Sequence, residues 1–129
     1  MIHFDDTFLT VLWDEPLQCV VMQWKAYVQG EGFQRGLNAG LDLIVKKKAS
    51  RWLAEMTHMQ VIALADQTWA NEDWFPRAIA GGIRKMALVY PKSALAKMGV
   101  KNIMTKVSDE SLQTHYFEDV ASARLWLGE

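Results

Sequence analysis

Glu55 and His58 stand three residues apart in the run from Trp52 to Trp74, WLAEMTHMQVIALADQTWANEDW, and Asp66 follows a little further on. A carboxylate stabilises a charged imidazole and moves its titration toward physiological pH, so Glu55, His58 and Asp66 could form a small acid/base set. Nothing in the sequence joins them: there is no nucleophile with a base at recognisable spacing and no glycine-rich phosphate loop. The simpler reading makes His58 a loop histidine or one bonded to backbone, and Asp66, Glu72 and Asp73 a solvated helix face with capping roles. His3, His58 and His115 fall on separate elements without metal-ligand spacing, so no metal site and no other cofactor is expected.

A second set of residues suggests binding rather than turnover. Trp69, Trp74, Phe75 and Ile79 are offset by five, six and ten residues, which does not make one narrow stripe on a straight helix. Some of these rings are expected to line an apolar crevice or a dimer surface. Leu95 and Met98, on the helix after Pro91, are expected to supply the opposite wall, methionine being an adaptable surface. Trp74 should then be replaceable by alanine with the fold intact. The alternative is that all four pack on the sheet, as large aromatics usually do. Arg77 could hold an anionic head group or pair with Asp73 four residues earlier, and the local pair is the simpler reading.

The elements that must position these side chains follow from periodicity and caps. Phe8 to Trp13 and Leu17 to Trp24 are β-rich runs joined by Asp14, Glu15 and Pro16, which predicts an antiparallel hairpin. Phe33, Leu37, Leu41 and Ile44 mark an amphipathic helix from Glu31 to Lys48, with Lys46, Lys47 and Lys48 at the negative end of its dipole. Trp52 to Met56 has strand length. Ala63 to Gly82 reads as helical but interrupted, as two helical pieces or one kinked helix: Asp73 can cap a second piece, Pro76 falls in its first turn, and Gly81-Gly82 ends it. Lys85 to Tyr90 is apolar on both faces, as a central strand covered on both sides must be, and Pro91 stops it. Ser93 can cap a helix carrying Leu95, Met98, Ile103 and Val107, Leu112 to Phe117 alternates like a strand, and Asp119 can cap a last helix from Val120 to Leu127. The order implies an α/β fold: an open mixed sheet of about five strands, with an N-terminal antiparallel hairpin followed by alternating helices and strands.

A chain of 129 residues, 50% hydrophobic and 22% charged, makes one folded domain over residues 1–129 and is not disordered by default. Fourteen basic and fifteen acidic side chains leave a net charge of -1, which argues against nucleic acid as a partner. The single Cys19 sits in an apolar run, and charges at Asp5 and Asp6 leave no signal-peptide stretch. With no segment of membrane-span length, a cytoplasmic protein is expected. Six tryptophans and seven methionines serve either as core filler or as an apolar pocket or partner surface. Right-handed crossovers between neighbouring strands would put the helices on one side, yet Cys19 to Met22 and Met86 to Val89 are apolar on both faces. A homodimer, through that second face or through Trp74 and Phe75, is the expected cover.

The element order, Trp52 and Leu53, the downstream Asp66 and Trp69, the core of the strand at Met86 to Val89 and the closing YFEDVASARLWL together resemble the STAS-like family typified by bacterial anti-sigma-factor antagonists. The likeness is to its divergent SpoIIAA-like branch and spans the whole domain. The resemblance implies a non-enzymatic protein, with roles in phosphorylation-switched partner binding, regulation of attached modules, or binding of small or lipidic ligands. The Asp-Ser-Ser-Gly-Leu motif that carries the phosphorylated serine in sigma-regulating members is replaced here by Glu55, Met56, Thr57, His58 and Met59. Thr57 is the only nearby hydroxyl, and a phosphate there would gain from helix amides only if a helix began at once, which Gln60 to Ile62 do not suggest. The expectation is therefore a domain that binds an apolar, lipid-like or amphipathic small ligand or a protein partner. A regulator switched at Thr57 and a small enzyme using His58, Glu55 and Asp66 are the alternatives.

Overall fold

The β-rich start of the chain extends one strand further than its hairpin. In the computed structural model, which describes residues 1–129, β1 (Ile2–Asp5), β2 (Leu9–Asp14) and β3 (Cys19–Trp24) form an antiparallel meander. The tight turn between β2 and β3 is built by Asp14, whose carboxylate accepts the Leu17 N–H at 3.0 Å, and by Gln18 in the left-handed region at φ 54. Parallel pairing then adds β4 (Arg51–Glu55), β5 (Lys85–Val89) and β6 (Gln113–Phe117) in turn, giving six strands in the order β1-β2-β3-β4-β5-β6. The architecture is the expected α/β mixed sheet with one strand more. β1 has four residues, a register irregularity and only exposed or half-buried positions, so it shows little of the alternation by which a strand is recognised.

Between the parallel strands run α1 (Glu31–Lys47), a helical stretch comprising α2 (Leu64–Trp69), a π turn (Ala70–Trp74) and α3 (Phe75–Gly81), and then α4 (Ala94–Met104). All of them pack on one face of the sheet, over Trp52, Ala54, Met86 and Leu88. Leu88 is 3% exposed. α1 lies close to the strands because Gly36 and Gly40 have no side chains; a Cβ on Gly40 would run into the Trp52 ring and stand 2.7 Å from the Met22 sulfur. Ser93 caps α4, its hydroxyl accepting the Ala96 N–H at 3.2 Å, and Asp119 caps α5 (Val120–Leu127) by accepting the Ser122 N–H at 2.7 Å.

α5 corrects the expectation that all helices share one side. Ala123 and Leu127 pack on Cys19, Val21, Leu53, Ala87 and Val89, the second face of the sheet. The handedness rule constrains helices that connect two parallel strands, and α5 follows the last strand and connects none. A second copy is not required to cover this face. An ion pair between Arg124 on α5 and Asp14 fastens the helix to the end of β2. Burial acts to raise the Asp14 carboxyl, but hydrogen bonds from the Arg124 guanidinium and the Leu17 N–H outweigh it and hold the group below its ordinary 3.8. No helix is long and apolar enough to cross a membrane.

Cys19 lies fully buried beneath α5, and that burial, with the nearby Asp14 charge, pushes its thiol up to about 12. The folded protein should therefore resist a thiol reagent at mildly alkaline pH and release one equivalent only when unfolded in urea. Equal reaction rates in the two states would show that α5 does not seal this face. Because the unfolded thiol ionises near its ordinary 9.0 and the folded one does not, stability is expected to decline as pH rises above that value.

Candidate functional site

Of two helical pieces or one irregular helix, the stretch from Leu64 to Gly81 is the second, running on through Asp73 and Pro76. The ladder widens there: the Phe75 N–H bonds to the Ala70 carbonyl, five residues back. Proline cannot donate to a carbonyl four residues back and crowds it, and a wider turn just before Pro76 relieves both problems. Asp73 caps nothing; its carboxylate takes the Arg77 Nη2 at 2.8 Å, and the same nitrogen donates to Asn38 Oδ1 on α1, also at 2.8 Å. A π turn aligns residues five apart, so Ala70, Trp74, Phe75 and Ala78 all reach the core. Trp74 is 1% exposed, its indole N–H donates to the Leu37 carbonyl at 3.0 Å, and its ring lies 5.1 Å from Trp52 and 4.9 Å from Phe75.

These rings do not fill the space they enclose. A cavity of about 60 Å³ remains between the sheet and the helices, and all 16 residues that line it are hydrophobic. Its floor includes Trp52, Ala54 and Leu88; Phe33 and Leu37 of α1 form one wall, Trp74 and Phe75 another, and Val100 and Ile103 of α4 a third. Met56, Met59, Met86 and Met104 also line it. The volume equals the share of roughly two waters, but a water needs polar partners and this hydrophobic lining offers few. It is smaller than the ~150 Å³ that admits a benzene ring. Methionine side chains, unbranched and with three rotatable bonds, are the part of the lining most able to yield.

Of the residues expected to form a crevice, Trp74 and Phe75 line the cavity. Trp69 stands beside it, edge-on to Phe33 at 6.3 Å and under the Arg77 guanidinium at 6.0 Å. Ile79 is half-buried and faces an outer groove. Leu95 and Met98 are 59% and 57% exposed and belong to neither wall. α4 does provide the opposing wall, but through Val100, Ile103 and Met104, because its inward face is set by the small residues Ala96 and Gly99. A Cβ on Gly99 would meet Gln67 and Ile62 at 3.3 Å, so α4 rests against the preceding segment at that point. Phe33, Leu37 and Trp24 were not anticipated as lining; their helical and strand periodicity marks them only as core.

The acid/base set is not assembled. Glu55 ends β4 on the α5 side, two residues beyond Leu53, in a shallow cleft with Gln23 and Arg124. Asp66 lies on the opposite side, 3% exposed, with both carboxylate oxygens on the Gly30 N–H at 3.0 and 3.2 Å, where it fixes the start of α1 rather than standing on a solvated face. His58 is exposed in the turn after β4, His3 faces Asp42 at 3.3 Å, and His115 lies on β6 beside Phe117 and Trp126. Thr57 sits in that same turn, its carbonyl accepting the Lys92 N–H at 3.2 Å, and the next helix starts only at Leu64. No family model, no curated protein and no solved structure matches this chain.

Proposed function

We propose that this chain is a non-enzymatic binding domain that takes the apolar tail of a small amphiphile into the cavity between the sheet and α1, the π turn and α4. The carrying observation is an unfilled void with a wholly apolar lining at the centre of the larger core. Protein interiors are otherwise close-packed, and a void of 60 Å³ forgoes about 1.4 kcal/mol at ~24 cal/mol per Å³. A tail that occupies it recovers that energy and adds its own transfer from water. Four methionines in the lining let the space lengthen around a chain larger than the resting volume. The π turn on one wall is a geometry frequent at functional sites. The resemblance to the STAS-like family favours the same non-enzymatic reading, and the placement of Glu55 and Asp66 on opposite sides of the sheet weakens the enzymatic one. No helix starts directly after Thr57, the next along the chain beginning only at Leu64, which counts against a kinase switch of the family's kind there. A free, buried Cys19 accords with a reducing, cytoplasmic setting.

The test is a thermal-shift and fluorescence titration with octanoate, decanoate, laurate and decanol. Trp24, Trp52 and Trp74 line the cavity, so occupancy should change the emission. At a hundredfold excess over Kd the ligand should stabilise by about 2.7 kcal/mol, or roughly 10 °C in a domain of this size. Ala54→Met should fill the space from the floor, abolish the response and leave the melting temperature unchanged or higher. No shift with any probe, or an undiminished shift in Ala54→Met, would remove the cavity as the site.

A further inference from the structure

One surface groove shares a lining residue with the cavity. It has a volume of about 320 Å³ and runs between the π turn and α3 on one bank, with Asn71, Pro76 and Ile79, and the segment after α4 on the other, with Lys106 and Val107. Phe75 lines both the groove and the cavity, and it is 7% exposed. Its ring therefore stands between the groove and the cavity. Beside it the Asn71 side-chain amide donates to the Ile103 carbonyl at 2.9 Å, tying the π turn to α4, and Met104, the half-buried last residue of α4, lines the cavity. A single ring, flanked by a flexible thioether, separates the groove from the cavity at this point.

The charges at the groove differ in availability. Lys106 is exposed and takes part in none of the ion pairs of the structure. Asp109 at the same groove is already engaged, its carboxylate accepting both the N–H and the hydroxyl of Ser111, which hold it ionised. The cation is thus the free partner, and the anion is turned to its own loop.

We propose that this groove is the way in: a single-chain amphiphile passes its tail beside a displaced Phe75 ring into the cavity and leaves an anionic head group at Lys106. The inference rests on the cavity reading above and adds to it a route, a gate and a head-group chemistry. Stopped-flow tryptophan fluorescence with decanoate and decanol tests it on the intact chain. Lys106→Glu should weaken decanoate about fivefold and leave decanol unchanged, the span expected of one exposed charge pair. Val107→Trp narrows the groove from outside the core and should slow association of both probes about tenfold with little change in equilibrium affinity, since entrance and exit share one path. Phe75→Leu, which keeps an apolar side chain at the partition, should speed association.

If both probes bind but Lys106→Glu does not distinguish them, or Val107→Trp leaves the association rate unchanged, the route is wrong and the cavity reading stands. If neither probe binds the wild-type protein, both fall together.

Discussion

Trp74→Ala is expected to lower the unfolding free energy by about 3 to 5 kcal/mol, the range for removing a large aromatic from a packed core. The ring is fully buried, contacts Trp52 and Phe75, and donates its indole N–H to the Leu37 carbonyl. Truncation opens a larger void and removes the indole's hydrogen bond to the Leu37 carbonyl, which keeps its helical partner within α1. A domain of this size has roughly 5 to 15 kcal/mol in hand, so the loss is a large fraction of the whole. Urea unfolding measures it directly, and an unchanged midpoint would mean the indole is not part of the core. The expectation that Trp74 could be replaced with the fold intact is thereby reversed: the residue lines the cavity and also holds up its wall. Ala54, whose side chain is small and faces the same space, is the position at which occupancy can be tested without removing support.

Much of the fold is legible because its punctuation is local. Asp14, Glu15 and Pro16 interrupt two β-rich runs and leave little choice but a hairpin, and Ser93 and Asp119 stand at the N-caps they advertise. What escapes is whatever depends on a distant partner. The strand at Met86 to Val89 announces that both its faces are covered, but α5 and a second protein chain would leave the same mark on it. Only the absence of a following strand, which frees α5 from the crossover rule, distinguishes them. At Asp73 and Pro76 the sequence signals that regular α-helix cannot continue, yet a capped restart and a widened turn are both answers to a proline in that position. Packing of Trp74 and Phe75 together against the sheet selects the second.

The candidate site was half legible for a related reason. Trp74 and Phe75 are large and adjacent, so the chain places them at the site whatever the helix does. α4 carries Ala94, Leu95, Ala96, Met98, Val100, Ile103 and Met104, apolar residues around much of its circumference, and its phase cannot be read from large side chains alone. Ala96 and Gly99 decide it, because close approach needs small residues, and this turns Leu95 and Met98 to solvent. Glu55 and Asp66 show the opposite error: near one another along the chain, they are parted because a strand's period of two sends Glu55 with Leu53 to the α5 face. A cavity is the difference between two nearly equal volumes, that of the space framed by the backbone and that of the side chains placed in it. No single residue carries it.

Leu88→Ala tests the framed space itself. Leu88 is 3% exposed on the central strand and faces the cavity, so its truncation merges the lost side-chain volume with a void already present. Leucine truncations in cores cost about 2 to 5 kcal/mol, rising with the cavity that remains. Here Met56, Met86 and Met104 can lean into the gap, which places the expected loss in the lower part of that range, about 2 to 3 kcal/mol. With a urea m-value of ~1 to 3 kcal/mol per molar, the midpoint should fall by about 1 M or more at unchanged slope. The same variant should gain more from an apolar ligand than the wild type does, because the enlarged void binds a bulkier tail and recovers more of the missing contact. Decanoate should therefore raise the melting temperature of Leu88→Ala by several degrees more than it raises that of the wild-type protein. Destabilisation without that larger ligand response would show Leu88 to be ordinary core and would separate the strand from the binding site; an unchanged midpoint would show that the strand is not central at all.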